Sequence, residues 1–356
     1  MAAIELRVHS RISDDLGTAW GELARRRDAP PWLHPSWFAA WSWAFSTGET
    51  VIVSAERDGC LVGVLPLHRR GAALHGMSNY HTPSFEILAE DAQARRAVAD
   101  EACRLAPGRL ELRFLPEDGE SVAAGVEAAR RAGRRTLVRV VERSPVVDTR
   151  GGWNAYEASL RSGLRHELRR RRRRLEEQGS LRLDVHDGRE LLEGLLTQGF
   201  EVERSGWKGD RGTAIATSER TRGFYERVAA AAARDSTLRL AFLRLDDRPI
   251  AFDFGIEHGG AHFLLKTGYL DSMRPYGPGM LLRYEMLRRA FETGLRRYCF
   301  LGQDDAWKRA WTSKTEAQVL LQVMSEGPVG VLEACAFGHA RPMLLRALRR
   351  ARCSRS

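Results

Sequence analysis

The chain predicts a mixed α/β (α+β) protein of two domains, each a mostly antiparallel sheet flanked by helices. Three observations carry that prediction. At 356 residues, 43% of them hydrophobic, the chain exceeds one average domain and can bury a sizeable core. Strand–turn–strand patterns occur in both halves, at 51–68 and at 238–269. Between and after them lie stretches whose apolar residues recur at helical spacing.

Residues 4–30 open with a strand and continue as a helix from Leu16 to Arg27, which Pro30-Pro31 ends because proline lacks the backbone donor. His34 to Phe45 reads as an aromatic helix in which Trp37, Trp41 and Phe45 form one apolar stripe, a pattern of core packing. Val51–Ala55 and Cys60–His68 make a hairpin around Asp58-Gly59. A polar, turn-rich tract with Asn79, Tyr80 and His81 follows, then helical patterns alternating with strands at Arg109–Phe114 and Thr136–Val141.

The Gly-rich stretch from Asp148 to Asn154 marks a domain boundary, so the expected division is 1–148, 149–327 and a basic helical tail at 328–356. Leu160, Leu164, Leu168 and Leu175 keep helical spacing up to Gly179, with six consecutive arginines, Arg169 to Arg174, among them. Such a run wraps around a helix and is first a solvated basic face; one or two of its members can point at phosphate. Leu238–Leu245, Pro249–Glu257 and Ala261–Tyr269 are three strands joined by hairpin turns. A Gly/Pro loop ending in Pro278-Gly279 leads into a helix from Met280 to Thr293, stopped by Gly294. A strand, Arg297–Leu301, and the polar loop Gly302-Gln303-Asp304-Asp305 complete the series.

Composition narrows the function classes. The five cysteines are scattered, which fits neither a zinc site nor a disulfide framework, and no metal is expected. No run of about 18 apolar residues exists to span a membrane, and the N-terminal residues lack a signal-peptide core. The expected location is cytoplasmic. The formal charge is +10, but only four of 56 basic residues are lysine, the mark of a GC-rich coding sequence. The excess suits an anionic ligand without specifying one. No helix-turn-helix, RNA-recognition or zinc-finger pattern supports a nucleic-acid reader, and no Gly-x-Ser-x-Gly elbow or catalytic-cysteine signature supports a covalent nucleophile.

Strand, Gly/Pro loop, helix, strand is an arrangement that brings unpaired N–H groups and a helix dipole to a phosphate. With that order in place, residues 240–311 resemble the donor domain of GCN5-related N-acetyltransferases (GNATs). The similarity is strongest to the branch named for cellulose-biosynthesis accessory acyltransferases, itself related to the FemABX transferases. The matching stretches are Arg248-Pro249-Ile250-Ala251, Gly268-Tyr269-Leu270-Asp271, Gly277 to Leu282, and Gly302 to Trp311. Upstream, Leu164 to Arg170 with Leu175 to Gly179 resembles the family's basic helix, and Trp207-Lys208 its acceptor-side segment. His34-Pro35-Ser36-Trp37 and Asn79 to Pro83 extend the resemblance into the first half, implying tandem GNAT-like domains.

The resemblance implies an N-acyltransferase that passes an acyl group from acyl-CoA to an amine by direct attack. An aminoacyl-tRNA is the alternative donor, in the manner of FemABX enzymes, and a non-catalytic binding protein of the same fold is the third reading. The acceptor would be a small molecule or a peptide. Lys266, Gly268, Tyr269, Tyr276, Pro278, Gly279, Met280 and Leu281 are expected at the donor; Asn79, Tyr80, Arg165, Arg169, Trp207 and Lys208 at the acceptor. Lys308, Asp304, His81 and Asp253 are the candidates for catalysis, with Glu201 as a further base. Three of the four lysines, Lys208, Lys266 and Lys308, fall in these segments. The family commonly has tyrosine before the last lysine where this chain has Trp307, so no phenolic role carries over there. The tail helix, Pro342 to Arg352, is expected to pack on the body.

Overall fold

A computed structural model describes residues 3–205, 215 and 218–335. Trp207, Lys208 and the expected tail helix Pro342 to Arg352 lie outside the described residues. In chain order the first elements are β1 (Glu5–His9), α1 (Asp14–Arg26), α2 (Pro35–Phe45), β2 (Glu49–Arg57), β3 (Cys60–Arg70), β4 (Ala73–Gly76) and β5 (Leu88–Ala89). Next come α3 (Ala92–Arg104), β6 (Leu110–Pro116), α4 (Glu120–Arg131), β7 (Thr136–Asp148), α5 (Trp153–Ser159), α6 (Ser162–Glu176) and β8 (Leu181–His186). The rest are α7 (Leu192–Arg204), α8 (Glu219–Arg234), β9 (Leu238–Leu245), β10 (Arg248–His258), β11 (Ala261–Tyr269), α9 (Pro278–Glu292), β12 (Arg297–Cys299), β13 (Thr315–Val323) and α10 (Gly327–Cys335).

Two compact units result, and both are discontinuous in sequence. The first comprises Met1–Ala29, Ser46–Val141 and Ala317–Ser356; the second comprises Pro30–Phe45 and Glu142–Glu316. A linear division at 148/149 therefore differs from the packing in three ways: the crossing falls within β7, residues 30–45 join the second unit, and residues from 317 return to the first. The physical reason is strand completion. In the first unit the order is β1-β2-β3-β4-β6-β13, antiparallel throughout except for the parallel pair β4/β6. In the second it is β8-β9-β10-β11-β12-β7, again antiparallel except for β11/β12. The same pairing scheme thus occurs twice, as a tandem repeat. Its last strand comes from downstream in one unit and from upstream in the other.

Local sequence explains the elements of the second unit. Gly259 and Gly260, both at positive φ, make the tight turn between β10 and β11. The aromatic stripe of α2 is core: Trp37 and Trp41 are buried, and Trp37 and Phe45 meet Phe224 of α8 edge-on or tilted. On the sheet, Leu168 and Leu175 of α6 join Leu281, Leu282, Met286 and Leu287 of α9 over Ala241, Leu243 and Ile250. The helical period predicted from sequence is the face that this core buries. No helix among the described residues is long and apolar enough to cross a membrane.

Candidate functional site

The second unit contains one place where its sheet comes apart. β11 and β12 pair only from Ala261/Arg297 to Phe263/Cys299, after which β11 runs on to Tyr269 while β12 ends. At the same level β11 carries a bulge. Lys266 faces Phe254 and Leu264 faces Gly255, so Leu265 has no partner on β10. A bulge turns backbone N–H groups out of the ladder and re-aims neighbouring side chains. A parted strand pair beside a bulge leaves main-chain donors for an extended ligand.

From the end of β11 the chain makes a 3-10 turn, Asp271–Tyr276, and enters α9. Gly277 takes a left-handed conformation (φ 61°), Pro278 stands at the first helical position, and no side chain caps the helix start. Proline there gives up a donor that would be unpaired anyway, and the remaining donors and the dipole favour an anion. Any Cβ on Gly277 would run into the guanidinium of Arg171, and one on Gly279 would lie 3.1 Å from Cδ1 of Tyr269. Arg174 stacks 5.0 Å from the centre of the Tyr276 ring, and Gln178 Nε2 donates to the Tyr276 hydroxyl. α6 therefore brings two of its arginines to this turn. Arg171 is also paired with Glu167, as is Arg170, while Arg172 is held by Glu176 and Glu285 and Arg173 by Glu177. Arg165 is half-buried and Arg169 exposed on the same helix.

After β12, Leu301 and Gly302 are both left-handed (φ 50° and 67°) and turn the chain sharply. Lys308 braces this turn. Its Nζ is buried and donates to the carbonyls of Leu301 at 2.6 Å and Gln303 at 2.7 Å, with the Asp305 carboxylate at 3.3 Å. Ser144 of β7 donates to the Gly302 carbonyl at 3.0 Å, and burial pushes the neighbouring Glu142 carboxyl up from its usual range. Asp304 pairs with Arg309 at 3.2 Å. The geometry makes Lys308 a clamp on the loop beside the parted strands.

Asp253, proposed from its place on a strand, is fully buried on β10 and held by Arg283 of α9 at 2.8 Å. Enclosure leaves it no path to a substrate amine. Glu201 is exposed, whereas Glu203, which sequence reasoning passed over, is buried and accepts from the Ile215 N–H at 2.7 Å. Its backbone lies where a Cβ on Gly268 would sit. Tyr225 of α8, its hydroxyl pushed up by burial and then by Glu203, is fully enclosed, with Lys266 Nζ 5.4 Å from its ring centre. The missed signal was available: Glu203 continues the buried stripe of α7 that runs through Leu196, Gly199 and Phe200.

Lys266, Gly268 and Tyr269 lie on β11, Tyr276 ends the 3-10 turn, and Pro278, Gly279, Met280 and Leu281 open α9, with Leu281 turned into the core. Asn79, Tyr80 and His81 belong to the first unit. There Asn79 Oδ1 accepts from the His81 N–H at 2.9 Å, closing a turn, while Tyr80 is 78% exposed. The first unit's own counterpart of the parted strands is filled by its chain. Beyond β4/β6, the Phe85 N–H donates to the Phe114 carbonyl at 2.9 Å, and the Phe85 ring occupies the space beside Gly76. The helix that follows, α3, is capped by the Asp91 carboxylate, which puts negative charge where the second unit leaves donors open. Among the described residues no cluster of His, Cys, Asp and Glu is arranged to hold a metal.

Comparison with known proteins agrees with this geometry. Residues 162–309 match the family described as acetyltransferase (GNAT) domain. The fold is similar to a crystal structure of FemX, with a TM-score of 0.59 at 13% identity over 90% of this chain and 97% of that one. It is also similar to the C-terminal domain of a putative lysylphosphatidylglycerol synthetase from Agrobacterium fabrum, with a TM-score of 0.56 at 13% identity over 91% and 95%. A conserved protein of unknown function from Bacteroides thetaiotaomicron gives 0.53 at 12% identity over 90% and 100%. No curated protein matches the sequence. The segment that matches the GNAT domain family contains the parted strands and the uncapped helix, and it lies within a fold similar to that of FemX.

Proposed function

We propose that the second unit transfers an acyl group from acyl-CoA to the amine of a small molecule or peptide, by direct attack and without a covalent enzyme intermediate. The observation that carries this is the alignment of two features on one strand-to-helix connection: the bulge at Leu265 beside the end of β12, and the uncapped start of α9 at Gly277-Pro278-Gly279. The donor supplies a thioester acyl group. The first turn of α9, with Arg171 and Arg174 beside it, fits a pyrophosphate. Backbone N–H groups released around the bulge are placed to hold the acyl carbonyl oxygen. Lys308 fixes the loop that walls the opening. Glu203, Tyr225 and Lys266 form a polar group on the α7/α8 face of β11, and we assign the acceptor amine to that face.

An aminoacyl-tRNA ester is the second reading, favoured by the FemX-like fold. The pairing of Arg170 to Arg173 with glutamates speaks for the smaller donor, since it removes much of the charge a tRNA backbone would need. Calorimetry with acetyl-CoA, longer acyl-CoAs and charged tRNA tests the assignment. Saturable acyl-CoA binding that Gly279→Asp weakens by about tenfold or more supports it, because a carboxylate at the helix start opposes phosphate. Binding of tRNA alone, with a steep salt dependence, overturns it in favour of the second reading.

A further inference from the structure

β7 meets the turn after β12 with two polar side chains on one face, Glu142 and Ser144, both buried. That turn has to be held. Leu301 carries a side chain in the left-handed region, a conformation that persists only where its surroundings impose it. Lys308 holds the carbonyls of Leu301 and Gln303. Gly302 between them is held from β7: its carbonyl accepts from the Ser144 hydroxyl at 3.0 Å, and its N–H is hydrogen-bonded to the Glu142 carboxyl.

One hydroxyl proton serves two acceptors here. Ser144 Oγ lies 3.0 Å from the Gly302 carbonyl and 3.2 Å from Glu142 Oε1, and a serine has a single proton to give. An ionised Glu142 only accepts, and a charged oxygen is the stronger acceptor, so it draws that proton away from Gly302. The Gly302 carbonyl then loses its partner in a half-buried turn. With Glu142 protonated the chain is complete. The carboxyl donates to Ser144, Ser144 donates to Gly302, and the second carboxyl oxygen still accepts from the Gly302 N–H. The surroundings agree with the neutral form. Burial, with Asp305 adding to it, pushes the carboxyl up from its usual range against the opposing pull of Ser144, Lys308 and the Gly302 N–H. Lys308 and Asp305, both from the loop after β12, are the charged groups that act on it.

We propose that Glu142 is a positioning residue: carrying its proton, it completes the chain Glu142–Ser144–Gly302 that holds the turn beside the parted strands, and its ionisation releases that turn. The effect on the donor rests on the acyl-CoA reading above, whereas the latch itself does not. Two measurements on the full chain test it, each from about pH 5 to about pH 9. One is amide hydrogen exchange of residues 301–305 without ligand, corrected for the intrinsic rate; the other is calorimetry with acetyl-CoA. In the wild type, protection should fall by about fivefold or more as pH rises through a midpoint above 4.5, and acetyl-CoA affinity should fall over the same range. Glu142→Gln, whose amide donates to Ser144 at every pH, should keep the protection and remove this step from both curves. Titration of the donor's own phosphates is common to both proteins and cancels in the comparison. Ser144→Ala should show low protection at every pH, with circular dichroism unchanged. An identical pH response in the wild type and Glu142→Gln overturns the proposal, as does protection that is lost on falling rather than rising pH. An exchange step that Glu142→Gln abolishes, in a chain that binds no acyl-CoA, supports the latch and overturns the donor reading instead.

Discussion

Arg283 of α9 donates to the Asp253 carboxylate of β10 at 2.8 Å, with both side chains sealed from solvent beneath the donor-side strands. The guanidinium also donates to the Tyr298 hydroxyl and lies 5.7 Å from the Phe300 ring centre, so it ties α9 to β10 and β12 at once. Breaking a buried pair leaves an uncompensated charge. Asp253→Ala should therefore cost about 3–5 kcal/mol in urea unfolding, while the double replacement Asp253→Leu with Arg283→Met should cost much less than the two single changes together. Equal and additive losses would assign the two residues independent roles.

Lys308 is the residue for which chemistry and structure predict different outcomes. Removing its ammonium takes the donor from two loop carbonyls, and leaving one such group unpaired costs about 1–3 kcal/mol. Lys308→Met should lower stability by roughly 2 kcal/mol or more and weaken acyl-CoA binding in parallel. Lys308→Arg should not restore either, because a planar fork cannot replace a compact ammonium between those oxygens. Lost turnover with unchanged unfolding and donor affinity would instead place the amine in the reaction.

The contrast between Lys308 and Glu203 shows what the sequence can and cannot carry. Hairpins around Asp246-Asp247 and Gly259-Gly260, the proline-led α9 and its Gly294 stop were legible because each rests on local chemistry that neighbours in sequence supply. β13 was not foreseen, and the last strands of the two units come from outside their own stretch of chain; pairing between 110–116 and 318–323 has no local signal. The same limit applies to side chains. That Lys308 turns back onto Leu301, that Asp253 meets Arg283 thirty residues on, and that Glu203 reaches Ile215 depend on packing rather than on residue type. Residue type pointed to the loop after β12 and to β10 and β11. It did not separate a clamp from a catalyst.

Gly268 tests how tightly β11 is held against α7. A Cβ there would stand 2.5 Å from the Glu203 Cα, and backbone cannot move aside as a flexible side chain can. Gly268→Ala should cost about 1–3 kcal/mol. Because the displaced backbone carries Glu203, the variant should raise KM for the acceptor more than the dissociation constant for acyl-CoA. An unchanged acceptor KM would remove Glu203 from the acceptor face.

Acid sensitivity should originate at the far end of the same sheet, around Glu257. Burial favours its neutral form, but His262 at 3.3 Å and Arg289 outweigh this and hold the carboxyl at about 2, below its ordinary 4.5, with Arg239 a further partner at 2.7 Å. A depressed folded-state value means that the stabilisation is complete above pH 4.5 and is lost as pH falls toward 2, about 2–3 kcal/mol in all. His262, stacked 4.6 Å from the Tyr298 ring centre, is pushed below its ordinary 6.5 by burial. Below that pH the unfolded chain takes up a proton that the folded one resists, so the two residues act in the same direction over successive ranges. Chemical denaturation across pH 2 to 8 should show stability falling first through the His262 range and then through the Glu257 range. Glu257→Gln should lower stability near pH 7 and flatten only the lower range, and a wild-type curve parallel to that of the variant from pH 4.5 to 2 would show that Glu257 does not set this limb.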